Sequence, residues 1–418
     1  MRRSTSKAVV RGPGLPRDDG GMPTKVTGAP TGAGRVLDRL ERLYALGGGT
    51  GANRPGLSAA EQAAHELVAG WIEEAGLAVE FDPVGNLVGR LPGTRPELPE
   101  IWIGSHLDSV PDGGRFDGAL GVVGGLEAVS LAASLGPHER TLAVVAFRDE
   151  EGSRFGRGLF GSRALCGRLA ADDLEQRDAG GASVHEALAA LGLARPDPAG
   201  WLDPPPAAFL ECHVEQGAVL AARNAPLGVV TGIVGVARGS AEFAGLARHA
   251  GTTPMDARED ALCAAAEFVL RLRDAARAVD GAVATVGRIE VEPGAVNVVP
   301  ARVWASVDIR APDRERLDAV LRAVPEARVH VTDPVPTAAG PTGALREALA
   351  AAGLPVAELA SGAGHDAMVL AAAGVPTGLL FVRSLADGAS HCPEEETSGD
   401  DVALAVDVLA AALRRLAA

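Results

Sequence analysis

The chain has 418 residues, 47% of them hydrophobic and 22% charged, with a formal net charge of -15. At about 150 residues per domain, this length predicts two to three domains, and the hydrophobic content excludes a wholly disordered chain. The negative charge excludes a generic binder of nucleic acid or anionic membrane, and 3% aromatic residues leave no base-stacking platform.

Residues 1–35 are rich in Arg, Gly, Pro, Ser and Thr without a hydrophobic signal-peptide core. They read as a disordered extension, or as an upstream start before Met22. Cys166, Cys212, Cys263 and Cys392 are far apart, with no CxxC pair. That pattern predicts a reducing, cytoplasmic location without a disulfide framework. No apolar run approaches the ~20 residues of a membrane span.

Helical apolar spacing begins at residues 36–46 and continues at 58–74, where Ser58 is placed to cap the helix. Short strand-like runs follow at 77–81, 86–90, 101–104, 141–148 and 207–210, with a helix over 117–135. This alternation predicts an α/β domain with a mixed, mostly parallel sheet. From about residue 231 the rhythm changes to strand 233–243, helix 258–279, strands 282–290 and 302–310, helix 314–324 and strand 327–331. That β-α-β-β-α-β order is the arrangement of a ferredoxin-like sandwich. The α/β pattern resumes with helices 345–352 and 366–373, strand 378–383 and helix 400–417. The reading is therefore a domain in two pieces, 36–230 and 336–418, interrupted by a second domain at 231–335.

Four apolar strands run directly, or after a short loop, into ligand-type residues. They lead to Ser105-His106-Leu107-Asp108, to Arg148-Asp149-Glu150-Glu151, to Glu211-Cys212-His213 and to Ser390-His391. Ligands of open parallel sheets bind beyond the carboxyl ends of the strands. Three of the nine histidines occupy such ends. Imidazoles from His106, His213 and His391, with carboxylates from Asp117, Glu150 and Glu151, form a mixed nitrogen and oxygen set. Such a set suits Zn, Mn, Co or Ni, and one bridging carboxylate extends it to two ions. Asp108 lies two residues beyond His106 and can hold the other ring nitrogen. Of the adjacent Glu150 and Glu151, one can bind metal while the other moves protons. Singly, each residue has a plainer account. Asp117 before an apolar helix is an N-cap, a Glu-Glu pair is a solvated surface, and one histidine near a strand end is hydrogen-bonded structure. Four such strand ends together favour a metal site.

The motifs Gly104-Ser-His106-Leu-Asp108, Gly113-Gly-Arg-Phe-Asp117-Gly, Glu150-Glu151-Gly-Ser-Arg-Phe155 and Glu211-Cys-His213-Val-Glu-Gln216-Gly carry a resemblance. With His249-Ala-Gly-Thr-Thr-Pro-Met255, Gly362-Ala-Gly-His-Asp366 and Ser390-His391, the chain resembles the M20-type metallohydrolase superfamily. The branch it resembles is the amidase/hydantoinase/carbamoylase one, which holds N-carbamoyl-L-amino-acid hydrolases, allantoate amidohydrolases and β-ureidopropionases. The resemblance implies that His106, Asp117, Glu151, His213 and His391 bind two divalent metal ions, zinc first among the candidates, with Asp117 bridging. It implies Glu150 as general base and acid, and Asp108 as the residue orienting His106. The insert becomes a lid and dimerisation domain of a homodimer, with His249 reaching the neighbouring subunit's active site. Gln216, Arg238, Asn297 and Arg310 match positions that grip the substrate, although Arg310 could equally make a surface pair and Asn297 shape a turn. Arg383 stands where the family usually has Pro, and Cys392 where Asn is common.

The function so implied is hydrolysis of a ureido group on a small carboxylate such as an N-carbamoyl-L-amino acid or allantoate. A peptidase or N-deacylase of the same superfamily is the alternative, and a metal-free binding protein on the same fold is a remote one. The Glu-Gln-Gly and His-Ala-Gly-Thr-Thr-Pro-Met segments favour the ureido branch.

Overall fold

A computed structural model describes residues 32–418; of the extension expected over 1–35, residues 1–31 lie outside the described residues. Residues 32–35 belong to the first helix, Gly32–Tyr44, which starts four residues earlier than the apolar spacing indicates. Its buried face is Val36, Leu40 and Leu43, so the added turn contributes no core residue that a sequence pattern could register. The strands are β1 (Ala78–Phe81), β2 (Leu87–Leu91), β3 (Ile101–His106), β4 (Leu142–Phe147), β5 (Ala208–Val214), β6 (Leu227–Ile233) and β7 (Gly235–Ala244). After them come β8 (Val283–Thr285), β9 (Ile289–Glu292), β10 (Arg302–Ala311), β11 (Arg328–Thr332), β12 (Val335–Pro336), β13 (Ala357–Ser361) and β14 (Thr377–Val382).

Among the described residues, nine strands form one mixed sheet in the order β1-β2-β4-β3-β5-β14-β6-β12, with β13 also on β6. Its centre, β4-β3-β5-β14, is parallel, and β2 and β6 flank that centre antiparallel. Strands β3, β4, β5 and β14 are buried along their whole length, which is why they read as unbroken apolar runs rather than alternations. One face is covered by helices Gly32–Tyr44, Ala119–Ser134, Ala339–Ala351 and Gly399–Leu416. Helix Ala119–Ser134 is apolar on nearly every side and almost entirely buried, as expected of a helix packed between a sheet and other helices. Because the four central strands run the same way, their carboxyl ends open on one rim. That rim carries the ligand-type residues.

The chain leaves this sheet after β6, at Val234, and returns at β12. In between lies an antiparallel sheet ordered β11-β7-β10-β8, with β9 also on β10. Helices Ala261–Arg277 and Arg314–Arg322 pack on one face, where Ala237, Ala241, Val307 and Ile309 meet Phe268, Leu272, Leu317 and Val320. This is the β-α-β-β-α-β sandwich, except that the strand expected over 282–290 is broken into β8 and β9. Both halves pair with β10, and Ser306 Oγ fills the break by accepting from the backbone N–H groups of Gly287 and Arg288 at 3.1 and 3.0 Å.

Ser58 caps helix Ala59–Glu74 by accepting from Glu61 N–H. Helix Ala119–Ser134 starts two residues later than the apolar pattern indicates, so Asp117 is not its cap; Gly118, at φ 63°, precedes it. Helix Ala339–Ala351 begins six residues before the expected 345 and takes Pro341 into its first turn, where a missing N–H costs nothing. Among the described residues, no helix is long and apolar enough to cross a membrane.

Candidate metal centre

His106 is the last residue of β3, and its ring is buried. Its Nδ1 lies 3.2 Å from the backbone oxygen and 3.3 Å from the carboxylate of Asp108, so Asp108 orients the ring and leaves Nε2 facing the rim. The same Asp108 carboxylate accepts from the backbone N–H groups of Glu150 and Glu151 at 3.0 and 3.1 Å. One fully buried side chain therefore ties the end of β3 to the loop after β4. Asp149 in that loop has a left-handed backbone, φ 49°, which turns the chain sharply and presents Glu150 and Glu151 side by side. His213, near the end of β5, has Nδ1 2.9 Å from the oxygen of Val214, and its Nε2 faces Asp117 at 3.1 Å. His391 follows β14 on a loop, also left-handed at φ 57°, and its Nε2 is 3.2 Å from the other oxygen of Asp117.

Two groups of ligand atoms result, each within 4.8 Å of one another: His106, Asp117 and His213, and Asp117, Glu151 and His391. Asp117 belongs to both. All five expected ligands are thus brought together, and Glu150 stands outside both groups with its carboxylate 3.9 Å from His106 Nε2.

The electrostatics are those of buried carboxylates crowded against imidazoles. Burial, reinforced by Glu151 and Asp366 against His106, holds the Glu150 carboxyl well above the usual carboxylate range. Burial and Asp117 push Glu151 up to about 8. Burial also works to raise Asp117, but hydrogen bonds from His213 and His391 outweigh it and hold it well below its ordinary value. Hydrogen bonding to Asp117 raises His391 to about 9, against burial. Glu151 Oε1 is buried without a hydrogen-bond partner, 3.5 Å from His391 Nε2. Crowded carboxylates facing imidazole nitrogens, with one orphaned oxygen, fit divalent cations better than any pairing among themselves.

A cavity of about 330 Å³ lies over this cluster, lined also by Gln216, Arg238, Arg310 and Gly364. The Gln216 amide nitrogen is 3.0 Å from His391 Nε2. Arg238 and Arg310 approach from the second sheet and share Asp308: Arg238 donates at 2.8 and 3.0 Å, Arg310 Nε at 2.9 Å. Arg310 is therefore both a paired residue and a wall of the cleft. His249 and Asn297 are not in this cleft; they sit together on loops of the second sheet, where Ala250 N–H donates to the Asn297 oxygen at 2.9 Å.

The profile of the Peptidase family M20/M25/M40 matches residues 102–415. The chain belongs to that family. This M20-family chain is 40% identical over 396 residues to an N-carbamoyl-L-amino acid amidohydrolase of Geobacillus stearothermophilus, covering 90% of this chain and 96% of that one. It is 36% identical over 361 residues to an allantoate amidohydrolase of Escherichia coli, covering 82% and 87%. Among solved structures it resembles an amidase of the hydantoinase/carbamoylase family from Burkholderia multivorans, with TM-score 0.83, 34% identity, and coverage of 92% and 98%. It is a hydrolase of the carbamoylase branch, and the α/β fold with its inserted domain agrees with those neighbours.

Sequence reasoning passed over several supporting side chains of the M20-family site. Glu395 is buried and accepts from the N–H groups of Phe116 and Asp117 at 2.7 and 3.0 Å, and from Ser390 Oγ at 3.1 Å. It joins the loop of Asp117 to the loop of His391. Glu211 accepts from Ser105 Oγ at 2.7 Å and from Ala367 N–H at 3.0 Å, beneath His213. His365 packs edge-on against His213 with ring centroids 4.7 Å apart. Arg383, which the sequence marked as a departure from the family pattern, pairs with Asp401 at 2.8 Å and anchors the last helix to the end of β14.

Proposed function

We propose that this chain is a binuclear metal-dependent amidohydrolase that cleaves the ureido C–N bond of a small carboxylate such as an N-carbamoyl-L-amino acid. The observation that carries the reading is the pair of ligand groups meeting on Asp117, with Glu150 free beside them. Zinc suits the donor set best, and Mn, Co or Ni are compatible. Divalent cations held by His106, Asp117, Glu151, His213 and His391 supply Lewis acidity toward the ureido carbonyl and acidify water.

The residues of the chain do the rest. Glu150, outside both ligand groups with its carboxylate 3.9 Å from His106 Nε2, takes a proton from the attacking water and delivers it to the leaving nitrogen. Asp108 fixes both His106 and the backbone on which Glu150 stands. Arg310 and Arg238 retain guanidinium N–H groups beyond those given to Asp308, and these receive the substrate carboxylate, with Gln216 at its side. One water converts an N-carbamoyl amino acid to the amino acid, ammonia and carbon dioxide. Segments 36–230 and 336–418 form the catalytic domain, and 231–335 a lid through which two copies pair. In that homodimer His249 and Asn297, remote from their own cleft, complete the partner's site, His249 facing the oxyanion.

The test is ammonia release from N-carbamoyl-L-amino acids, β-ureidopropionate and allantoate, beside dipeptides and N-acetyl amino acids, with metal content measured on the same protein. Two equivalents of metal and ammonia release support the reading. Hydrolysis confined to dipeptides or acyl amides, or turnover by metal-free protein, overturns it.

A further inference from the structure

The second large cavity on this side of the molecule, about 710 Å³, opens directly off the metal cleft, with which it shares Gln216, Arg310, Ala363 and His391. Its far walls are apolar: Val219 beyond β5, Val283 on β8, Leu359 and Ala360 on β13, and Phe381 on β14. The polar side chains on those walls are mostly committed. Glu215 accepts from the N–H groups of Val219 and Leu220 at 2.7 and 2.9 Å. Ser361 Oγ donates to the Ala363 oxygen, with His365 Nε2 at 2.8 Å, Ser390 Oγ donates to Glu395, and Asp308 is held by the two arginines. A ligand group entering this chamber meets apolar surface and few unsatisfied donors.

We infer that this chamber receives the α-substituent of the substrate and selects N-carbamoyl-L-amino acids with large apolar side chains over glycine, acidic and allantoate-type substrates. The inference rests on the ureido reading above. With the ureido group at the metal ligands and the carboxylate at Arg310, the side chain, the one remaining non-hydrogen substituent of the α-carbon, is directed past Gln216 and His391 into the chamber. A second ureido group, as in allantoate, would lose its water hydrogen bonds there without replacement, whereas an isobutyl or benzyl group would gain by leaving water.

The experiment is kcat/KM by ammonia release for N-carbamoyl derivatives of glycine, L-leucine, L-phenylalanine and L-aspartate, and for allantoate. Leucine and phenylalanine derivatives are expected to exceed the glycine derivative by about 10- to 100-fold, the scale on which apolar pockets discriminate. Val219 and Val283 are 42% and 59% exposed, so a polar side chain at either does not burden the core. Val283→Asp and Val219→Asp are each expected to reduce the leucine-to-glycine ratio at least tenfold. A ratio near one in the unmodified protein, preference for allantoate, or a ratio unchanged in both variants overturns the inference while ammonia release still upholds the ureido reading. Absence of ammonia from every ureido compound removes both, and is recognised by the glycine derivative, which does not use the chamber.

Discussion

Removing the carboxylate of Asp108 tests how the site is assembled. Asp108→Ala strands two part-buried backbone donors, the N–H groups of Glu150 and Glu151, which now lie 3.0 and 3.1 Å from its carboxylate, and leaves the His106 ring with only the backbone oxygen of residue 108. An unsatisfied donor costs ~1–3 kcal/mol when fully buried, so ~6 kcal/mol is the ceiling for the two part-buried groups together if the loop stays in place. The loop can avoid that cost by moving to water, carrying Glu150 and Glu151 with it. Displacement of a catalytic group by about 1 Å lowers rates on the order of 100-fold. The expectation is therefore a fall in kcat/KM of about 100-fold or more, together with a lower urea midpoint followed by tryptophan fluorescence. Asp108→Asn, which keeps one acceptor for the two donors, falls between. An alanine variant with activity within about threefold of the parent and an unchanged midpoint would refute the role of Asp108 as the tie between β3 and the β4 loop.

Glu150→Gln should abolish turnover while metal content stays near that of the parent, because Glu150 lies outside both ligand groups; retained activity removes it as the proton carrier. His249→Ala should lose most activity without loss of thermal stability, since its side chain is exposed. Mixing His249→Ala with Glu150→Gln subunits should restore part of the activity, and verified heterodimers that stay inactive count against sharing of sites. His65 is fully buried, and burial with repulsion from Arg148 holds its pKa well below the ordinary value. The unfolded chain then binds the extra proton, so stability present above about pH 6.5 is lost as pH falls, by up to ~1.4 kcal/mol per pH unit for this group. His65→Gln should flatten the fall in urea midpoint between pH 7 and 5, and an equally steep fall in the variant would rule His65 out as its source.

The site was legible where a ligand-type residue interrupts an unbroken apolar strand, as at His106, Glu150, Glu151 and His213. Burial on both faces forces such strands to be apolar, so a polar residue at the end stands out. Glu395 gave no such signal. It lies in the run Glu394-Glu395-Glu396, whose composition is that of a solvated surface, and only the tertiary fold turns its middle carboxylate inward against Asp117. The fold shows the same contrast. The two-residue β12 is decided by its partner β6, far earlier in the chain, and the break between β8 and β9 by the way both halves pair with β10, the next strand, around Ser306. Helix Ala339–Ala351 was read short because its first turn contains Gly340 and Pro341, both poor helix formers that tertiary packing overrides. The sharing of Asp308 by the two arginines of the cleft was not legible, because Arg238 meets Asp308 only through the pairing of β7 with β10, which sets the two residues opposite each other across 70 residues of chain.

Strand β14 lies between β5 and β6, although more than a hundred residues separate it from either in the chain. A nascent polypeptide halted anywhere before residue 377 thus has a gap in the middle of its largest sheet, with two apolar edges facing each other across it. Closing that gap late is a slow, long-range step. A product truncated just short of β14 cannot settle as a partial enzyme, even though it already contains His106, Asp117 and His213, because its exposed sheet edges invite pairing with other chains.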